Sequence, residues 1–221
     1  MKVLIIGASR GLGLEFVNQY LAAGAEVTAT ARNEAALAHL RELGASAIAL
    51  DVAQAPSVAG LAWQLDGSSF DVAVICSGIY GPRQAGLESP TESDFDAVMH
   101  TNVLGAMRVV PQIVDSLAAG ARLAVLSSRM GSIGTRASAS GWLYRASKAA
   151  LNSVLKDIST ALAGRVTCVA LHPGWVRTDM GGEQADLGVT DSVKDMRGLL
   201  DSIGADDNGR FLNHDGAAID W

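Results

Sequence analysis

The sequence predicts an α/β fold, a doubly wound parallel sheet of about seven strands with helices on both faces. Three observations point to it. Short apolar runs alternate with longer amphipathic stretches from one end of the chain to the other, as strand-helix-strand units require. The first run is apolar at every position, so it is buried on both faces, which suits parallel pairing. Glycine is abundant, 24 of 221 residues, and aromatic residues are few at 5%, a composition that lets helices press closely on a sheet.

The elements follow in order. Residues 3–6 form a strand, residues 7–13 a glycine turn, and the next helix carries Leu14, Val17 and Leu21 on one face before ending near Gly24. Residues 25–31 are the second strand. Asn33 suits a helix N-cap, and Leu37, Leu40 and Leu43 form the apolar stripe that precedes Gly44. Strands over 46–50 and 71–76 flank a helix over 56–65. Irregular backbone is expected where Gly78, Gly81, Pro82 and Gly86 gather. Thr91 opens a long helical region reaching about 119, with Asn102 or Pro111 as its point of interruption. Strand 122–127, helix 142–162, strand 166–171, helix 191–203 and strand 210–212 complete the chain. No linker composition appears, so residues 1–221 read as one domain.

Composition excludes several classes. With 49% hydrophobic and 18% charged residues and a mean hydropathy of +0.24, the chain suits a well-buried globular core. A net charge of -6 and a pI near 5.1 argue against nucleic acid and anionic membrane as partners. The N-terminal apolar run is too short for a signal peptide, and no stretch has the length of a membrane span. Cys76 and Cys168 lack Cys-x-x-Cys spacing and read as free thiols in a reducing compartment, so a cytoplasmic location is expected. His39, His100, His172 and His214 are scattered without ligand spacing, and no metal is expected. A Gly-x-Ser-x-Gly nucleophile elbow after a strand is also missing.

Two motifs carry chemistry. Gly7-x-x-x-Gly11-x-Gly13 lies between a buried strand and an amphipathic helix, the setting of a Rossmann-type dinucleotide turn. There Gly7, Ser9, Arg10, Gly11, Leu12 and Gly13 bring free N–H groups and the positive end of a helix to a pyrophosphate. The second strand ends Thr30-Ala31-Arg32, without the carboxylate that NAD-binding chains hold against the ribose. Arg10 and Arg32 together favour NADP(H) over NAD(H) by gripping a 2′-phosphate, although either alone is also readable as a solvated arginine. Asp51-Val52 at the third strand's end offers a carboxylate to the adenine amino group, or caps a turn. The second motif places Tyr144 and Lys148 on one helix face, where the ammonium favours ionisation of a phenol whose ordinary pKa is ~10.

Six matches in order make the chain resemble the short-chain dehydrogenase/reductase family over essentially its whole length. They are the glycine turn, Asp51-Val52, Asn102 followed by Gly105, Ser127-Ser128, Tyr144-x-x-x-Lys148, and Pro173-Gly174-Trp175-Val176-Arg177-Thr178. The ending from Gly209 to Gly216, with Trp221 last, looks most like the C-factor-like and carbonyl-reductase-like branch. By that resemblance Asn102, Ser128, Tyr144 and Lys148 are the catalytic group, with Asn102 holding a water that links Lys148 to solvent; the alternative for Asn102 is a side chain that satisfies backbone where the long helix bends. In the family Lys148 also bonds the nicotinamide ribose. Ser127, first of a serine pair at a strand end, reads as bonding only backbone. Gly78, Pro173, Val176 and Thr178 join the cofactor set. Ile75-Cys76-Ser77-Gly78 departs from the family's Asn-Asn-Ala-Gly.

The resemblance implies an NADP-dependent oxidoreductase that interconverts a carbonyl and an alcohol. Ile79, Tyr80, Ile133, Trp142, Leu143, Trp175 and Met180 suggest an apolar aldehyde or ketone, with Trp142 and Leu143 equally readable as core or subunit contacts. Residues 131–141 suggest a mobile pocket wall and 181–189 a lid or flexible rim. Apolar faces over 91–119 and 142–162 imply a homodimer or homotetramer, as the family pairs such helices. The alternative is a nucleotide-binding regulatory or signalling protein of the same fold with little turnover.

Overall fold

In the computed structural model, which describes residues 1–83 and 86–221, β1 (Lys2–Ile6) is buried at four successive positions because neither of its faces meets solvent. Side chains alternate along a strand, so Leu4 and Ile6 enter one apolar cluster while Val3 and Ile5 enter the other. β2 (Glu26–Ala31), β3 (Ser46–Ala49), β4 (Phe70–Ile75), β5 (Leu117–Leu126), β6 (Val166–His172) and β7 (Arg210–Asn213) complete one sheet in the order β3-β2-β1-β4-β5-β6-β7. Every adjacent pair is parallel.

The connecting helices are α1 (Gly11–Ala22), α2 (Glu34–Glu42), the short turns α3 (Ala55–Ala59) and α4 (Leu61–Gln64), α5 (Glu92–Met99), α6 (Gly105–Ile113), α7 (Trp142–Ala161) and α8 (Val189–Ser202). α1, α2 and α8 supply Phe16, Tyr20, Leu40 and Met196 to one face of the sheet. α6 and α7 supply Val109, Ile113, Leu151 and Leu155 to the other. Each such side chain, taken out of water, stabilises the fold by about 1.5–3 kcal/mol. The strand order reverses at β1, whose neighbours are β2 and β4, and this reversal opens a crevice at the carboxyl ends of these strands.

Several boundaries differ from those the pattern predicts. α1 begins inside the glycine turn, at Gly11, and buries Gly13, Phe16, Val17 and Tyr20, with Leu14 and Leu21 on the flank of that stripe. Leu43 caps α2 and is 37% exposed, so the α2 stripe ends at Leu40. Gly60 divides the helix expected over 56–65 into two turns. The long helical region is interrupted by a π-helical turn, His100–Leu104, centred on Asn102. Pro111 stays inside α6 on its exposed side, where the carbonyl that it leaves unpaired can meet water. That region stops at Ser116 because Leu117 already pairs with Phe70, after which the chain bulges before Val72 meets Arg122. Of the irregular loop expected between Gly78 and Gly86, residues 84 and 85 lie outside the described residues. No helix among the described residues is long and apolar enough to cross a membrane.

At the β1–α1 junction backbone lies close against backbone. A Cβ on Gly13 would stand 2.1 Å from the Gly7 carbonyl oxygen. Gly13→Ala should therefore destabilise the protein by about 3 kcal/mol, the upper end of ordinary overpacking, read as a lower urea midpoint at unchanged slope.

Candidate active site

A cleft of about 440 Å³ occupies the crevice at the strand ends. Its wall brings together Gly7, Ser9, Arg10, Gly11, Leu12, Gly13, Arg32, Asp51, Val52, Gly78 and Thr178. Pro173 and Val176 are not part of that wall. Val176 is buried and bridges to Leu187, while the Pro173 carbonyl accepts from the Ser192 hydroxyl at 2.6 Å.

The glycine turn is held by Thr30, a polar side chain near the end of β2 that is only 1% exposed. Its hydroxyl accepts from Gly7 N–H at 3.0 Å and its carbonyl from Ala8 N–H at 2.7 Å. α1 then opens into the cleft with no side-chain cap and no acidic residue in its first turn. Those N–H groups need an external acceptor, so the cradle fits a dinucleotide pyrophosphate. Arg32 is exposed on the cleft wall without an ion-pair partner among the described residues. Arg10 instead pairs with Asp179 across the cleft. Asp51 uses one oxygen to accept from Ala53 N–H at 3.0 Å, so it shapes its turn while facing the cleft. Val52 explains Gly105, whose Cβ would come within 2.9 Å of Val52 Cγ2.

Deeper in, α7 carries the predicted phenol and ammonium, both buried. Lys148 Nζ donates to the Leu126 carbonyl at 2.7 Å and stands 5.7 Å from the centre of the Tyr144 ring. It therefore lies over the phenol ring. Burial pushes the Tyr144 hydroxyl up to about 12, with the Ser128 hydrogen bond opposing and Tyr80 adding to the rise. Burial likewise pulls Lys148 down to about 8, with Cys76 opposing. The i, i+4 spacing predicts a depressed phenol; in this geometry desolvation outweighs the attraction of the ammonium. Ser128 stands close enough to lower the phenol's pKa, and its hydroxyl accepts from Met130 N–H at 3.1 Å.

Asn102 is 1% exposed, and its amide is fully committed within the protein. Oδ1 accepts from Ile79 N–H, and Nδ2 donates to the Ile79 carbonyl, both at 2.8 Å; Nδ2 also donates to Ser147 Oγ at 2.9 Å. This clamp holds Gly78 so close that a Cβ there would lie 3.3 Å from Lys148 Nζ and 3.4 Å from Asn102 Oδ1. Ile75 and Cys76 stand where the resemblance would place two asparagines, and this strand end is kept in line by Cys76 N–H donating to the Ile6 carbonyl at 2.8 Å.

Sequence reasoning missed the supports. Ser147 donates to the Tyr144 carbonyl at 2.8 Å, and Asn152 accepts from Ser127, whose hydroxyl thus bonds a side chain rather than backbone. Both are polar residues on the buried stripe of α7, and that is the signal that would have found them. Asp179 and Arg83 had no such signal. The wall over 131–141 is anchored: Ile133 and Gly134 N–H both donate to the Trp221 carbonyl at 3.1 Å, and Arg145 donates to Ser140 and Ser138. A buried guanidinium needs those acceptors. Residues 181–189 form a loop closed on itself, with Arg177 donating to Ala185 and Asp186 and Trp175 Nε1 donating to Gly181. Leu143 is core, whereas Ile133 is 69% exposed.

Comparison with known proteins agrees with this geometry. The family model described as short chain dehydrogenase matches residues 1–187. The C-signal of Myxococcus xanthus is 41% identical over 133 residues, covering 58% of this chain and 80% of that protein. Among solved structures, a short-chain dehydrogenase/reductase from Burkholderia multivorans with bound NADP superposes with a TM-score of 0.89 at 31% identity, covering 100% of this chain and 99% of that one. The carbonyl reductase Sniffer of D. melanogaster superposes with a TM-score of 0.91 at 28% identity and the same coverage.

The buried ammonium makes a stability test. Between about 8 and the ordinary 10.5 the unfolded chain binds the Lys148 proton and the folded one does not, so this group's contribution to stability rises with pH across that window. Below it, the buried charge costs about 3 kcal/mol. Lys148→Met should be more stable than wild type at pH 7, and its advantage should shrink steadily from pH 8 to pH 10, read from urea midpoints.

Proposed function

Because the chain belongs to the short-chain dehydrogenase/reductase family, we propose that it is an NADP(H)-dependent carbonyl reductase, working on small apolar aldehydes or ketones or on the corresponding alcohols. The observation that carries this reading is the phenol of Tyr144, buried on α7 beside Ser128 and Lys148 next to the cofactor cleft. The similarity to an NADP-bound relative and to a carbonyl reductase supports it.

The α1 turn would hold the pyrophosphate, Arg32 and Arg10 the 2′-phosphate, and Asp51 the adenine amino group, with Val176 and Thr178 toward the carboxamide. For Arg10 this means exchanging Asp179 for the phosphate. When bound, NADPH supplies the hydride for the carbonyl carbon. Tyr144 gives its proton to the carbonyl oxygen, and Ser128 donates to the same oxygen as negative charge develops there. Lys148 lies behind the phenol ring and returns positive potential to it as it ionises. Asn102 positions Gly78 and Lys148 rather than touching substrate. Phe95 on α5 and Met107 on α6, 47% and 52% exposed, support pairing with a second copy of this chain. The free thiols of Cys76 and Cys168 support a cytoplasmic setting.

A second reading rests on the relative called C-signal: a signalling protein that binds the nucleotide with little turnover. Tight NADPH binding without reduction of any compound in a broad aldehyde and ketone panel would favour it.

Two variants test the main reading. Tyr144→Phe should lower kcat by on the order of 10²–10⁴ while NADPH fluorescence titration shows unaltered affinity; equal turnover would remove Tyr144 from the mechanism. Arg32→Ala should weaken NADPH by about tenfold or more and leave NADH unaffected. Equal loss for both cofactors would refute the 2′-phosphate assignment.

A further inference from the structure

The loop after β4 does more than pass the cleft. Tyr80 lies flat on Tyr144, with ring centroids 4.6 Å apart and planes 23° from parallel. The Arg83 guanidinium covers Tyr80 in turn, 5.3 Å from its ring centre and within cation–π reach. Arg83 also donates through Nη2 to the Met180 carbonyl at 2.9 Å, tying this loop to the one that follows β6. Gly141 makes the room: it has φ +67°, and a Cβ there would lie 2.4 Å from the Tyr80 hydroxyl oxygen. A ring stack, a cationic cover and a side-chain-free position at the start of α7 thus hold one tyrosine against another.

We propose that Tyr80 is a specificity-determining residue, which admits to the Tyr144 hydroxyl carbonyl compounds with one slim substituent and turns away those with two bulky ones. This rests on the catalytic reading of Tyr144. The carbonyl oxygen must reach the phenol and Ser128 together, so the two groups on its planar carbon spread to either side of that point. One of them runs toward the face that Tyr80 closes. An aryl group slipped between the two rings would need about 7 Å, two carbon contact distances, against the 4.6 Å present. An aldehyde hydrogen or an unbranched chain needs no such opening. Removing the Tyr80 ring vacates that face, and Arg83 then has nothing to cover.

The test compares wild type, Tyr80→Phe, Tyr80→Ala and Arg83→Ala with NADPH and two probes, hexanal and benzophenone. The ratio of kcat/KM for benzophenone to that for hexanal should rise by about tenfold or more in Tyr80→Ala, chiefly through a lower benzophenone KM. It should stay at the wild-type value in Tyr80→Phe, and Arg83→Ala should move it the same way by a smaller factor. A second readout needs neither cofactor nor turnover. Tetranitromethane nitration, mapped by mass spectrometry, should spare Tyr144 in wild type and Tyr80→Phe but modify it in Tyr80→Ala, with buried Tyr20 as the internal reference. An unchanged probe ratio together with unchanged nitration of Tyr144 overturns the proposal while leaving the reductase reading intact. If wild type reduces neither probe nor any other carbonyl compound, the reductase reading fails and this inference fails with it.

Discussion

The amide of Asn102 is the interaction on which the site depends. A π-helical turn brings it inward between α5 and α6, and its three hydrogen bonds reach the loop after β4 and the serine before Lys148. Were any of these broken in so buried a place, the group left behind would cost about 1–3 kcal/mol. The clamp therefore specifies one position for Ile79, and through it the approach of Gly78 to Lys148 and of Tyr80 to Tyr144. Two distant segments, one from the sheet's crest and one from α7, are locked into a common frame by a single side chain. A straight α-helix through residues 100–104 would have carried that side chain elsewhere, and π turns are frequent at functional sites for this reason.

Much of the fold was legible because strands buried on both faces leave unmistakable apolar runs. The glycine turn was legible for the same kind of reason: Gly7, Gly11 and Gly13 each meet a local demand, either a left-handed φ or a backbone neighbour too close for a Cβ. What periodicity could not show were partners brought in by the tertiary fold. Arg10 looked like a phosphate ligand because nothing near it in sequence competes, yet Asp179, 169 residues away, takes its guanidinium. The Ser127–Asn152 bond is similarly invisible in sequence order, although a polar residue on the buried face of α7 announces that some partner exists. The start of β5 was missed because the apolar pattern of the long helical region continues to about 119, ahead of Gly120 at φ +79°, while in the structure Leu117 already pairs with Phe70.

The phenol and the ammonium one helical turn apart do share the buried face of α7, but their spacing alone gives an incomplete account of their electrostatics. Spacing on a helix says that two groups are neighbours, not how each is solvated. Here both are removed from water, and both move toward neutrality: the tyrosine up to about 12, the lysine down to about 8. Lying over the ring, the ammonium does not offset the burial that raises the ground-state phenol. Its influence is reserved for the moment when negative charge appears on the oxygen, and interactions stronger in the transition state than before it are those that accelerate a reaction.

On the proposed function the proton of the phenol is held tightly. A phenol pushed up to about 12 keeps its proton at neutral pH, and both directions of the reaction pass through its anion: reduction leaves the phenolate behind when the proton goes to the carbonyl oxygen, and oxidation of an alcohol starts from it. Forming that anion at pH 7 in the site as it stands costs roughly 7 kcal/mol, so a positive potential that grows on the oxygen as it ionises serves both directions. Tyr80 adds to the cost, since its ring both deepens the burial and raises the phenol further. The side chain that narrows the entrance is thus also part of what keeps the proton in place. Selectivity for substrate shape and retention of the phenol's proton arise together from one stacked pair of rings.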